Sequence, residues 1–506
     1  MKKLLTLLWI IIIAGAAFFV YDYIRTTKPA VEEEQNKTTK SQEISKTPLQ
    51  EATEHDVNKV KTTSKVIQEG DLAYVNGDYE QAITLYKQAL TTNPNSIECL
   101  YKIGASYLAD NKPEEARRYL LQLEDMQKNL QVEILIGRTY LNDRKIEDAK
   151  AYFDKIDAAT ADTTASSDTT LAPTSGSANT NEEVRYYKAL IKILYKKHDE
   201  AKADLKSLSE TQGLFDEKIK TKVKIFLDAY KTFDVYSDEV KSQHLETVLA
   251  KAFIDTGEFA VSIPLLYDVI KMQNNYRDAW IMLGYSYMQI NKTADAIDAF
   301  LQAKTLDPEK PQTLFFLGIA YAIQEKFDDA IFYLEKSFKA GFEPKSIINQ
   351  KLADIYLLKG NFEKALKSYT DIIDLVIADL SIYTKAVWVC IEKIDKPQRA
   401  LGIADKAIAA NPDAAMGYNL RGWAYVAYGD YIKAEADLLK AISIDPKLDS
   451  AYLNLGQMYE KQGMNERAVE YYKKAYELGN GDSISSLAAV KFNKLITSPS
   501  WNSSQQ

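Results

Sequence analysis

Residues 415–448 read AMGYNLRGWAYVAYGDYIKAEADLLKAISIDPKL, and residues 449–482 read DSAYLNLGQMYEKQGMNERAVEYYKKAYELGNGD. At an offset of 34, Gly422, Tyr425, Ala434, Leu438, Ala441 and Pro446 recur as Gly456, Tyr459, Ala468, Tyr472, Ala475 and Asn480. Upstream, Trp280, Leu283, Gly284, Tyr287, Ala296 and Phe300 become Leu314, Leu317, Gly318, Tyr321, Ala330 and Leu334. Gly70, Ala82, Tyr86 and Pro94 are likewise followed by Gly104, Tyr107, Ala116 and Leu120. A period of this length marks a stacked array of small units, none of which buries its apolar face alone.

Within one period the spacing fits two antiparallel helices. The small residue at the eighth position and the alanine at the twentieth let the helices approach. Tyr, Leu and Phe fill the shared core, and proline near the thirty-second position ends the second helix. Composition agrees, because 20 glycines and 13 prolines in 506 residues are too few for a sandwich or barrel. With 46% hydrophobic and 26% charged residues, the chain is not wholly disordered either.

The pattern resembles the tetratricopeptide repeat. That resemblance implies an all-α, right-handed superhelical solenoid of helix-turn-helix units. Units are expected at about 63–96, 97–130, 130–160, 182–215, 243–276, 277–310, 311–345, 346–380, 381–414, 415–448 and 449–482, with 182–215 fitting poorly. The alanine spacing from Ala330 to Ala365 to Ala400 slips the phase by one at two joints. The expected organisation is an N-terminal sub-array (63–156), a low-complexity loop (157–181), irregular helices joining the sub-arrays (182–242), a C-terminal array (243–482), a capping helix (483–498) and a disordered tail (499–506).

Ahead of the array, Lys2 and Lys3 precede an apolar run from Leu4 to Val20. At ~1.5 Å per residue it extends about 25 Å, the short end of a bilayer span. Residues 1–25 therefore read as one transmembrane helix, with a cleaved signal peptide ending near Ala14-Gly15-Ala16 as the alternative. Lysine bias puts the N-terminus in the cytoplasm and the body on the extracytoplasmic side of the cell membrane, or secreted if cleavage occurs. Residues 26–62 read as a disordered spacer reaching on the order of 35 Å.

No motif for chemistry is present: no phosphate-binding or dinucleotide glycine loop, no H-E-x-x-H and no G-x-S-x-G. His55, His198 and His244 have no partner at metal-ligand spacing, and Cys99 and Cys390 read as two buried thiols. The expectation is no enzyme, no cofactor, no metal and no small-molecule substrate. A net charge of −8 gives no case for nucleic acid.

In the family the resemblance points to, first helices line a concave groove that takes a peptide or a partner helix. Carried over to the second, fifth, sixth and ninth positions, this implies a protein-binding groove through Met282, Tyr285, Phe315, Phe316, Ile319, Lys351, Asn419, Trp423 and Asn454. The rival reading is that the aromatics pack between helices. The family's chaperone-tail clamp is absent, and only Asn454 matches its asparagine ladder. The implied function is a membrane-anchored scaffold in envelope assembly or secretion, resembling bacterial envelope members. The alternative is a cytosol-facing membrane-anchored receptor or co-chaperone. Partner identity and oligomeric state are not encoded legibly.

Overall fold

Short helices joined by tight turns are what a two-helix period must produce, and the computed structural model contains helices and no strands among its described residues. Those residues are 63–165, 177–211, 217–234, 241–375, 379–479 and 483–497. The expected anchor, spacer and tail lie outside them, as does the middle of the low-complexity stretch. No helix among the described residues is long and apolar enough to cross a membrane.

The chain divides into two units at Ala299 and Phe300. The first holds α1 (63–75), α2 (Tyr79–Thr92), α3 (Ile97–Ala109), α4 (Pro113–Met126), α5 (Leu130–Asn142), α6 (Ile146–Ala165), α7 (Ser177–Leu194), α8 (His198–Ser209), α9 (Glu217–Asp234), α10 (Lys241–Asp255), α11 (Phe259–Met272) and α12 (Arg277–Gln289). The division falls within α13 (Thr293–Leu306). The second holds α14 (Pro311–Ile323), α15 (Phe327–Lys339), α16 (Lys345–Leu358), α17 (Phe362–Leu375), α18 (Leu380–Trp388), α19 (Pro397–Ala410), α20 (Ala415–Tyr428), α21 (Tyr431–Ile444), α22 (Asp449–Lys461), α23 (Asn465–Leu478) and α24 (Ser483–Ile496).

The turn inside each hairpin recurs with one signature. Its fifteenth residue has positive φ in every unit, at Gly77, Asn111, Arg144, Lys196, Gly257, Asn291, Glu325, Gly360, Asp395, Gly429 and Gly463. The values run from +49° at Asp395 to +93° at Gly429. Lys196 belongs to the poorly matching 182–215 segment, so α7 and α8 form a hairpin with the same turn. Beside them α9 stands as a single helix with Ile219, Val223, Phe226 and Tyr230 buried. Side-chain caps start several helices, as where Asp78 accepts from the Gln81 amide and Asp430 from the Lys433 amide.

The eighth-position glycines explain how tightly the hairpins close. A methyl group on Gly70 would lie 2.6 Å from the Tyr86 ring, one on Gly137 2.5 Å from Phe153, and one on Gly456 2.6 Å from Tyr472. Gly104, Gly318 and Gly422 meet Leu120, Leu334 and Leu438 in the same way, always sixteen residues on. The low-complexity stretch is bounded differently from the expected loop, since α6 runs to Ala165 and α7 begins at Ser177.

At the C-terminal end, α24 turns Ser485, Ala488 and Leu495 toward α22 and α23. Leu487 and Val490 of the same helix are exposed. Cys99 and Cys390 are buried free thiols, and burial pushes the Cys390 thiol up to about 11.

Candidate functional site

The first helices of the last units in the second unit of the chain, with α24, enclose a groove of about 1190 Å³. α20 supplies Met416, Asn419, Leu420, Trp423, Val426 and Ala427 to its wall. One repeat later α22 supplies Ser450, Leu453, Asn454, Gln457, Glu460 and Lys461. These are positions 2, 5, 6, 9, 12 and 13 of both units, because residues three and four apart share a helix face.

Thr384, Lys385, Trp388, Ile391 and Glu392 extend the wall from α18 and the turn after it. They take positions 5, 6, 9, 12 and 13 only if the unit starts at Leu380, where α18 begins. The hairpin turn at Asp395 then comes one residue late. A π-helical turn over Val389–Lys393 absorbs that residue, seen in bonds from Ile394 N–H to the Val389 carbonyl (3.1 Å) and from Lys396 N–H to the Cys390 carbonyl (2.7 Å). Counting back from the turn puts the fifth, sixth and ninth positions at Lys385, Ala386 and Val389, and Ala386 and Val389 are buried. That is why sequence reasoning missed Trp388. A signal was available: Trp388 precedes Trp423 by 35 residues, the same one-residue slip as the alanines.

The two tryptophans are half-buried, so each keeps ring surface open to the groove. Lys393 lies 4.8 Å from the Trp388 ring centre, a cation–π contact on that ring. The amides are tied to one another. Asn419 donates to Ser450 Oγ at 3.1 Å and its Oδ1 accepts from Asn454 at 2.9 Å. At 2% and 6% exposed, Asn419 and Asn454 are the groove's floor. Asn454 Oδ1 has no hydrogen-bond partner among the described residues, so it is the acceptor left for a ligand.

Three of the charges lining the groove are paired across helices. Lys385 reaches Asp354 at 3.3 Å, and Asp354 also accepts from the Tyr369 hydroxyl at 3.0 Å. Lys491 of α24 reaches Glu460 at 3.2 Å, and Tyr472 donates to Glu460 at 2.5 Å. Burial opposes the Glu460 charge, yet the Tyr472 bond and Lys491 outweigh it, and the carboxyl sits below its ordinary range.

The remaining expected groove residues sit elsewhere. Met282 and Tyr285 belong to the first unit of the chain. Met282 is buried, and the Tyr285 ring packs edge-on against Phe259 at 6.0 Å while burial raises its hydroxyl. In the second unit, Phe315 stacks on Phe342 at 4.4 Å and Phe316 on Phe300 at 5.5 Å. At 8% and 7% exposed, these two rings present little surface to a ligand. Ile319 is half-buried, and Lys351 is exposed on α16. Only Asn419, Trp423 and Asn454 of the nine line the 1190 Å³ groove. The acids paired in sequence, Glu114-Glu115 and Asp328-Asp329, fall in the first turns of α4 and α15, where the helix dipole favours them. No group of three metal-ligating side chains occurs among the described residues.

Family models described as TPR repeat match residues 70–111 and 422–463, and others described as tetratricopeptide repeat match 98–125, 247–311, 281–344, 348–375 and 449–478. Among curated proteins, bimA of Emericella nidulans is 25% identical over 224 residues, covering 41% of this chain and 26% of that protein. The TPR repeat-containing protein YpiA of Bacillus subtilis is 22% identical over 255 residues, covering 48% and 58%. The human mitochondrial import receptor subunit TOM70 is 24% identical over 225 residues, covering 42% and 36%. The matches thus span from about a quarter to somewhat over half of these relatives' lengths. Among solved structures, yeast Tom70 aligns over 88% of this chain and 99% of its own at 14% identity, with a TM-score of 0.30. The C-terminal part of a TPR repeat-containing protein from Cytophaga hutchinsonii aligns over 47% and 98% at 14% identity, with a TM-score of 0.40. Matched segments, glycine contacts and turn geometry keep one register, and the chain is built on tetratricopeptide repeats.

Proposed function

We propose that this chain is a non-catalytic scaffold that holds a protein partner in the groove between α18 and α24. The observation that carries the reading is the pair of half-open indoles, Trp388 and Trp423, above a floor of mutually bonded amides. Aromatic anchors in a concave, largely apolar site are where interface energy concentrates, commonly ~2 kcal/mol or more per anchor. With Lys385, Glu460 and Lys491 already paired, the groove favours apolar side chains of a peptide or a helix face. The Asn454 carbonyl oxygen is placed to accept a backbone N–H.

Residues 1–25 would anchor the chain in a membrane, with the groove on the extracytoplasmic side and a role in envelope assembly or secretion. The lysine-led apolar run from Leu4 to Val20 supports this part. The similarity to a mitochondrial import receptor subunit favours a second reading, a receptor facing the cytosol. Protease added to intact cells separates the two, since digestion of the repeats only after lysis excludes the extracytoplasmic placement.

The groove is tested with the full chain as bait and cross-linked partners identified by mass spectrometry. Trp388→Ala with Trp423→Ala should weaken capture of the recovered partner about tenfold or more, with helical content unchanged. Undiminished capture by the folded double variant places the partner on another surface.

A further inference from the structure

The first unit of the chain holds a second cavity, of about 730 Å³, between α1, α3 and α5 on one side and the α10–α11 turn with the end of α12 on the other. Its closure depends on a contact far apart in sequence. Asn111 Nδ2 donates to the Ile290 carbonyl at 2.8 Å, and Asn291 Nδ2 donates to the Asp110 carbonyl at 3.3 Å. Both asparagines occupy the left-handed turn position, at φ +54° and +60°, so the same turn in two distant repeats clasps its counterpart.

Only two ionisable carboxylate or basic side chains line this cavity, Asp110 and Arg138. Asp110 is held by Lys112 at 2.6 Å. Arg138 makes no hydrogen bond and no ion pair among the described residues. Its guanidinium lies 5.7 Å from the Tyr187 ring centre, and Tyr187, Glu258 and Glu183 all favour its charge; Glu258 is buried and also paired with Lys222 at 3.0 Å. Arg138 stands at the ninth position of its unit, where Asp71 and Asp354 are each tied to a tyrosine and a lysine. Five N–H donors in a rigid fork, beside a cavity and without a hydrogen-bond acceptor, leave the guanidinium's bonding capacity unfilled.

We infer that this cavity is a binding site for a small organic oxyanion, a carboxylate or a phosphate ester, held through a two-point bond to Arg138. The volume lies within the range of ordinary small-ligand pockets, roughly 300–1,000 Å³. Tyr74, Tyr101 and Phe259 give its wall apolar surface for the body of the ligand, and Asn142 and Gln289 offer amides. The site is separate from the groove in the second unit, and neither depends on the other.

The purified full chain would be titrated calorimetrically at fixed ionic strength with benzoate, phenyl phosphate and the neutral analogue benzamide. Saturable binding of benzoate, of phenyl phosphate or of both, at one per chain, is expected, with no binding of benzamide. Which anion binds identifies the carboxylate or the phosphate class. Arg138→Gln should weaken the interaction about tenfold or more, the loss typical of a charged hydrogen-bond partner. Ala105→Phe, which fills the cavity and leaves Arg138 in place, should abolish it and decides the matter if Arg138→Gln does not fold. Binding of neither anion, binding of benzamide as well as benzoate, or unchanged affinity in folded Ala105→Phe would each overturn the site.

Discussion

At the residue scale, glycine does two separate jobs that the same letter conceals. Gly456 is where a helix crosses the flat of Tyr472, and its hydrogen occupies the only space there. Tyr472 is fully buried, with its hydroxyl bonded to Glu460, and cannot swing away. Gly456→Ala should therefore destabilise the protein by about 1–3 kcal/mol, the usual cost of overpacking, read as a lower urea midpoint of the far-UV circular dichroism signal. Gly402 offers the opposite case: it is exposed within α19, and an added methyl meets nothing within 4 Å. Gly402→Ala should stabilise by about 0.5–1 kcal/mol, the helix preference of alanine over glycine. The eighth-position role was legible because glycine recurs at a fixed offset from the alanines and tyrosines it packs among. The two rings at 315 and 316 were ambiguous, since a phenylalanine at a first-helix position reads the same whether it lines a groove or meets Phe342 and Phe300.

At the scale of the element, the hairpin turn is the constant and the helices are the variable. Five of the eleven left-handed turn positions carry glycine, and the others carry Asn, Arg, Lys, Glu and Asp at φ between +49° and +60°. A residue with a Cβ pays about 1–2 kcal/mol for that conformation, while glycine costs roughly 0.5–1 kcal/mol of extra chain entropy. Arg144→Gly and Glu325→Gly should each raise stability by roughly 0.5–1 kcal/mol, and Gly429→Ala should lower it by about as much. Equilibrium unfolding in denaturant reads all three. The 182–215 hairpin matched the pattern only poorly, and its turn residue, Lys196, adds no signal of its own. Likewise the π turn after α18 is invisible to residue identity. One extra residue can be taken up in a loop or inside a helix, and only backbone hydrogen bonding distinguishes the two.

At the scale of the molecule, stability is distributed over many small interfaces, each supported by charges that bridge neighbouring helices or repeats. Asp143 lies between Arg117 at 2.9 Å and Lys145 at 2.6 Å, Glu258 beside Lys222, and Glu460 beside Lys491. Burial opposes ionisation in all three, yet the paired cations, joined at Glu460 by the Tyr472 hydroxyl, win and hold each carboxyl below its ordinary range. A carboxylate with a lowered folded pKa adds stability that is present above its unfolded value, about 4, and is lost as pH falls through the folded value. Acid should therefore unfold the chain progressively below about pH 4, and, because an array couples only neighbours, in steps that different segments report separately. Hydrogen exchange across a pH series checks this, with Glu258→Gln expected to flatten the acid dependence around α9 and α11. A single cooperative loss of protection everywhere would contradict it. The sequence by itself determined the repeat, its two helices, its core positions and the chemistry of three groove residues, because those depend on contacts within one period, where spacing is geometry. The tertiary structure alone decided that Trp388 joins Trp423, that Asn454 bonds to Asn419, and that the Asn111 and Asn291 turns clasp each other beside Arg138. Such meetings depend on small rotations summed over many helices, and no local spacing records that sum.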